Sequence, residues 1–98
     1  MQITKTKKDN TLVIALEGRL DTMTAPELEA AIKDDLVTAD AAELDLTKLE
    51  YVSSAGLRVI LSMHKTLSAK GGLTVKNPNE TVSEVFEVTG FSDILNIA

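Results

Sequence analysis

The sequence predicts an α/β fold: one domain, residues 1–98, in which a four- to five-stranded mixed sheet, mostly parallel after an N-terminal hairpin, carries helices packed on it. Three observations lead there. Runs with strand spacing alternate along the chain with runs of helical spacing, in the order β-β-α-β-α-β-α plus a C-terminal tail. A turn signal, Asp9-Asn10, separates the first two strands closely enough for a hairpin, whereas later strands are separated by helices and so pair in parallel. No linker, repeat or low-complexity tract interrupts the 98 residues, and 44% of them are hydrophobic, enough for one modest core.

Each element has its own signal. Ile3 to Lys8 reads as a polar edge strand whose Lys5, Lys7 and Lys8 guard it against pairing with a copy of itself. Thr11 to Glu17 is mostly apolar, the pattern of a central strand buried on both faces, and Gly18 ends it. Thr24-Ala25-Pro26-Glu27 opens a helix: Thr24 can cap, Pro26 sits in the first turn, and Glu27 completes a capping box. Leu28, Ala31, Ile32 and Leu36 follow at helical spacing. Ala42 to Leu46 alternates with period two and reads as the third strand. A helix from Leu57 to about Lys70 places Leu57, Ile60, Leu61 and Leu67 on one face, and Gly71-Gly72 stops it. Leu73 to Lys76 is a short strand, Asn79 caps a helix containing Val82, Val85, Phe86 and Thr89, and Gly90 ends that helix. Phe91 to Ala98 is apolar enough to pack but has no period that types it.

Composition narrows the function classes. The net charge is −5 and aromatics are 3% of the chain, so neither a basic nucleic-acid footprint nor base-stacking platforms are available. A folded protein with a basic face suits such a surface better. Cysteine is absent and His64 is the only histidine, which excludes disulfides and argues against a zinc site. There is no secretory leader pattern and no run of about 18 apolar residues, so the expected place is the cytoplasm, without a membrane span.

In sheets of this kind, functional groups gather in loops past the carboxyl ends of strands. Two loops qualify: Gly18 to Thr24 and Thr47 to Gly56. The second contains Ser53-Ser54-Ala55-Gly56 immediately before a helix, where unpaired amides and the helix dipole favour negative charge. Ser54 there has two possible tasks, to cap the helix or to present a hydroxyl that receives phosphate. Asp21, in the first loop, can cap a turn or stand beside Ser54 and contact a partner. Thr22 and Ser53 read as loop hydrogen-bonders. Gly56 allows close helix–sheet approach or an unusual backbone angle. Arg58, four residues after Ser54, is a solvated helix residue that could steady a phosphate or meet an acidic partner group. His64 lies about 15 Å along the helix from Ser54, too far to serve as its base, so serine-hydrolase chemistry is not expected and the chain is read as a non-enzyme.

The element order, the Gly18-Arg19-Leu20-Asp21 turn and Ser53-Ser54-Ala55-Gly56-Leu57 together resemble the STAS family, which includes bacterial anti-sigma factor antagonists, and the resemblance covers essentially the whole chain. The family signature is Asp-Ser-Ser/Thr-Gly-Leu. Aligned on Gly56-Leu57, its phosphorylated serine is Ser54, its preceding Asp is Ser53 and its following hydroxyl residue is Ala55. Asp21 matches the family's other acidic residue near the site.

The resemblance implies a protein–protein switch. Unphosphorylated protein binds an anti-sigma factor that is itself a serine kinase and so releases a sigma factor. Phosphorylation of Ser54 breaks the complex, and a serine phosphatase restores it. The implied contact surface is Asp21, Thr22, Ser53, Ser54, Gly56 and Arg58, with no cofactor and no metal, on a monomer or weak homodimer. The alternative, favoured by Ser53 and Ala55 in place of the usual residues, is a constitutively unphosphorylated scaffold or ligand-binding subunit of a signalling or lipid-transport complex.

Overall fold

The computed structural model describes residues 1–98. Strands β1 (Gln2–Lys8), β2 (Thr11–Leu20), β3 (Ala41–Val52), β4 (Leu73–Lys76) and β5 (Asn96–Ile97) form one sheet in the spatial order 1-2-3-4-5. β1 pairs antiparallel with β2 across the Asp9-Asn10 turn, and the other three pairings are parallel. Helices α1 (Ala25–Thr38), α2 (Ser54–Ser68) and α3 (Glu80–Val88) are the three crossovers. Since neighbouring strands follow one another in the chain, right-handed crossovers place all three helices on the same sheet face.

That arrangement corrects the expectation that β2 is buried on both sides. Leu12, Ile14 and Leu16 are buried while Val13 and Ala15 are only half-buried, because no helix covers the second face. Opposite them, Ala42, Leu44 and Leu46 of β3 and Leu73 and Val75 of β4 point to the same helix side, where Phe86 of α3 and Ile60 and Met63 of α2 fill the core.

The largest departure concerns β3, which runs to Val52 rather than ending at Leu46. Ala15 pairs with Asp45 but Glu17 with Lys48, and Gly18 pairs with Leu49 but Arg19 with Tyr51, so β3 carries an extra residue at each of two bulges. Its inward residues are therefore Leu44, Leu46, Leu49 and Val52, at intervals of two, three and three. Period-two reading loses the strand at the first bulge. Likewise Gly18 does not end β2. It sits inside the strand at φ 110°, a backbone angle glycine adopts freely, and β2 continues to Leu20.

Helix ends differ in detail. Thr24 makes no side-chain cap and no capping box with Glu27 forms, the turn being closed by Asp21 instead. α2 begins at Ser54, not Leu57, and buries Val59 and Met63 while leaving Leu61 half-buried. Lys70, expected to end α2, donates its ammonium to the carbonyls of Leu36, Val37 and Ala39, at 3.1, 3.0 and 3.0 Å, and so closes the C-terminus of α1. Asn79 caps α3 as expected, accepting from the Val82 amide at 2.7 Å, and its side-chain amide donates to the Leu49 carbonyl at 3.1 Å, tying α3 to β3. Lys5 is not a free guard of the edge: it bonds the Asp35 carboxylate and the Ala31 carbonyl, each at 2.7 Å, and pins β1 against α1. The untyped tail becomes a 3-10 turn (Phe91–Asp93), the buried Leu95 and β5.

Candidate functional site

The extended β2 and β3 end side by side, Leu20 opposite Val52, so the turn after β2 and the start of α2 share one end of the sheet. The amide of Ser53 donates to the Leu20 carbonyl at 2.8 Å and locks the two together. Gly56 completes the lock. A Cβ on Gly56 would lie 2.6 Å from Leu20 Cγ and 3.0 Å from the Leu20 carbonyl oxygen, so only glycine lets the first turn of α2 settle on β2. Gly56 is buried and acts from beneath the surface.

Capping falls to Ser53, not Ser54. Ser53 has extended backbone and its Oγ accepts from the Gly56 amide at 3.4 Å. Ser54 is the first helical residue, exposed, beside the unpaired amides of the helix start. Its hydroxyl is thus available to something outside the protein.

Asp21 sits one residue beyond Leu20 and organises the loop that follows β2. Its carboxylate accepts from the amides of Met23 and Thr24 at 3.0 and 3.1 Å. The Thr24 hydroxyl accepts from the Asp21 amide at 2.8 Å and donates to the Arg19 carbonyl at 2.7 Å. The Thr24 amide, the Met23 amide and the Thr24 hydroxyl, with Arg19 nearby, outweigh partial desolvation and hold the Asp21 carboxyl below its ordinary range. Arg19 itself lies over the Tyr51 ring, 4.8 Å from its centroid, across the strand pair.

Between the starts of α1 and α2 a groove of about 220 Å³ opens, lined by Thr22, Ala25, Pro26, Glu29, Ala55, Arg58 and Val59. Thr22, Ser54 and Arg58 are exposed, while Asp21 and Ser53 are half-buried. The two loops singled out in the sequence therefore meet on one surface. Met23 belongs there too and escaped the sequence reading. It is 82% exposed at the tip of the Asp21 turn, and the only signal was a methionine inside an otherwise polar turn. His64 lies in the third turn of α2, half-buried, its Nδ1 buried without a hydrogen-bond partner. No three His, Cys, Asp or Glu side chains converge on a space that would hold a metal ion.

Comparison with known proteins agrees with this architecture. Residues 3–96 match the family model described as "Mlab, STAS domain". The chain is 37% identical over 100 residues to a Bordetella bronchiseptica protein named "Putative anti-sigma factor antagonist BtrV", covering all of this chain and 86% of that protein. It is 31% identical over 90 residues to the anti-sigma-B factor antagonist of Listeria monocytogenes, covering 86% of this chain and 75% of the relative. The structure of the anti-sigma factor antagonist SpoIIAA in its unphosphorylated form superposes with a TM-score of 0.84 at 24% identity, covering 99% of this chain and 88% of that one, a likeness of fold. With the sheet order, the glycine lock and the family match over residues 3–96, the chain belongs to the STAS family.

Proposed function

We propose that this protein is an anti-sigma factor antagonist, acting as one STAS domain through protein contact rather than catalysis. The observation that supports the reading most is Ser54: exposed, first in α2 and relieved of capping by Ser53, with the Asp21 turn beside it. The relatives named as antagonists of anti-sigma factors point the same way. Unmodified Ser54, Asp21, Thr22, Met23 and Arg58 form the contact surface, with Ser53 and Gly56 holding the two loops in place. The partner is an anti-sigma factor with serine kinase activity, and the setting is the cytoplasm. No helix is long and apolar enough to cross a membrane.

In the transfer step, a bond forms between Ser54 Oγ and the γ-phosphorus of ATP while the bond to the β–γ bridging oxygen breaks. ADP leaves and the hydroxyl proton passes to a base of the kinase. The phosphate brings about −1.5 to −2 charges to a helix start that tolerates them, so the fold persists and only the surface changes. Asp21 then adds like-charge repulsion towards any acidic partner group. A serine phosphatase reverses the step by hydrolysis. Incubation with a serine kinase of the anti-sigma factor type from the same organism and ATP, followed by intact-mass measurement, tests the reading: one phosphate gained, and none by Ser54→Ala. No gain with that kinase, or an unchanged gain by Ser54→Ala, overturns it.

A second reading has one observation behind it. The uncovered sheet face holds a depression of about 280 Å³ lined by Gln2, Thr4, Ala15, Leu16, Glu17, Asp45, Thr47 and Lys48. Its lining, mostly polar side chains, suits a small polar ligand held by a scaffold subunit.

A further inference from the structure

Arg19 and Arg58 are the chain's only arginines, in a molecule whose net charge is −5. They differ in availability. Arg19 is occupied by the Tyr51 ring. Arg58 lies on α2, exposed, and the two ion pairs of the molecule, Lys5–Asp35 and Lys76–Glu43, leave it out. Glu29, on the opposite wall of the groove, is not paired with it either. Ser54 and Arg58 stand four apart on one helix, a spacing that brings side chains to within about 5–6 Å at Cβ.

We infer that Arg58 is the internal counter-charge of phosphorylated Ser54. Its planar guanidinium fork takes two phosphate oxygens from one turn away. The inference rests on Ser54 being the residue that carries phosphate. Its consequence is a change of surface with two parts: phosphate adds negative charge, and the same event withdraws Arg58 from any acidic group of the partner. Neither part needs α2 to move. The other charged groups at this end of the sheet are Asp21 on its turn and Glu29 on the groove wall, both repulsive, while Arg19 is stacked on Tyr51. Arg58 is therefore the unpaired side-chain cation that adds to the helix-start amides in favouring the doubly ionised phosphate.

The test uses full-length protein with phosphoserine incorporated at position 54 during translation, so that no kinase is involved and failure of the phosphorylation reading is separable from failure of this one. Phosphorus NMR follows the second phosphate ionisation, ordinarily near pH ~6. The phosphate with Arg58 intact titrates about 0.2–0.4 of a pH unit lower than with Arg58→Gln. Arg58→Lys gives an intermediate value, because a point charge replaces a fork. The gap narrows as salt is raised, since the pair is exposed. Equal ionisation in all three proteins overturns the inference, as does a gap that high salt leaves intact. Should Arg58→Gln melt early, Arg58→Lys against the parent carries the comparison alone.

Discussion

Replacing Gly56 by alanine inserts one methyl where the structure has no room. The added Cβ would stand 2.6 Å from Leu20 Cγ, 2.9 Å from its Cδ2 and 3.0 Å from its carbonyl oxygen. Leu20 is fully buried, so its side chain has no solvent to move into, and the carbonyl already accepts from the Ser53 amide. Overpacking of this kind costs about 1–3 kcal/mol. Alanine recovers up to about 1 kcal/mol as the better helix former. The net loss is about 1–2 kcal/mol, which for a domain of this size lowers Tm by about 5–15 °C. Urea and thermal unfolding followed by circular dichroism measure it. The first turn of α2 also lifts from β2, so the Ser53–Leu20 hydrogen bond lengthens and its amide exchanges faster in deuterated water. An alanine variant as stable as the parent, with the Ser53 amide equally protected, would refute the close-packing argument.

Other perturbations separate the roles assigned to neighbouring groups. Ser53→Ala loses the cap of α2 and about 0.5–1 kcal/mol, the lower half of the usual range because the bond is 3.4 Å long, whereas Ser54→Ala stays within about 0.5 kcal/mol of the parent in urea unfolding. The reverse ranking would return the capping role to Ser54. The Asp21 carboxyl titrates below its ordinary value of 3.8 in the folded protein, so its stabilisation is complete above that pH and fades as pH falls through the lower folded value. Asp21→Ala therefore loses more stability at neutral pH than in acid. Equal losses at both would contradict the assignment. Asp45, held low by the Thr47 hydroxyl and amide and by Asn77 and Lys76, keeps part of the acid sensitivity in that variant. His64→Leu removes a buried nitrogen that bonds nothing, so stability is unchanged or rises by up to about 1 kcal/mol, and a clear loss in thermal melts would reveal a partner for Nδ1.

Legibility in the sequence followed the physics of each element. The start of α3 is plain in the sequence: Asn79 and the first turn are contiguous, and its bond to Val82 spans three residues. Parallel pairing after the first hairpin is readable because each later strand is reached through a helix. β3 beyond Leu46 was not, since its bulges exist only against the register of β2, a pairing distant in sequence. The same bulges carry Val52 to Leu20, so the closeness of the two loops was an expectation that pattern alone could not derive. The partners of Lys5 and Lys70 are hidden for a related reason: their acceptors lie on α1 and its C-cap, 26 to 34 residues away, and long flexible ammonium side chains leave no periodic trace. Gly56 was marked for close approach, but only coordinates identify Leu20 as what it approaches.

The claim on which the rest depends is that one exposed hydroxyl, seated by a glycine lock beside an acidic turn, governs a contact with another protein. Calorimetric titration of the proposed anti-sigma factor kinase into unmodified protein and into protein carrying phosphoserine at position 54 measures that directly. The account predicts tight binding of the first and binding weaker by about 100-fold or more for the second, with closely similar melting points. Equal affinities for the two forms, or an affinity lost only because the phosphorylated protein has unfolded, would contradict it.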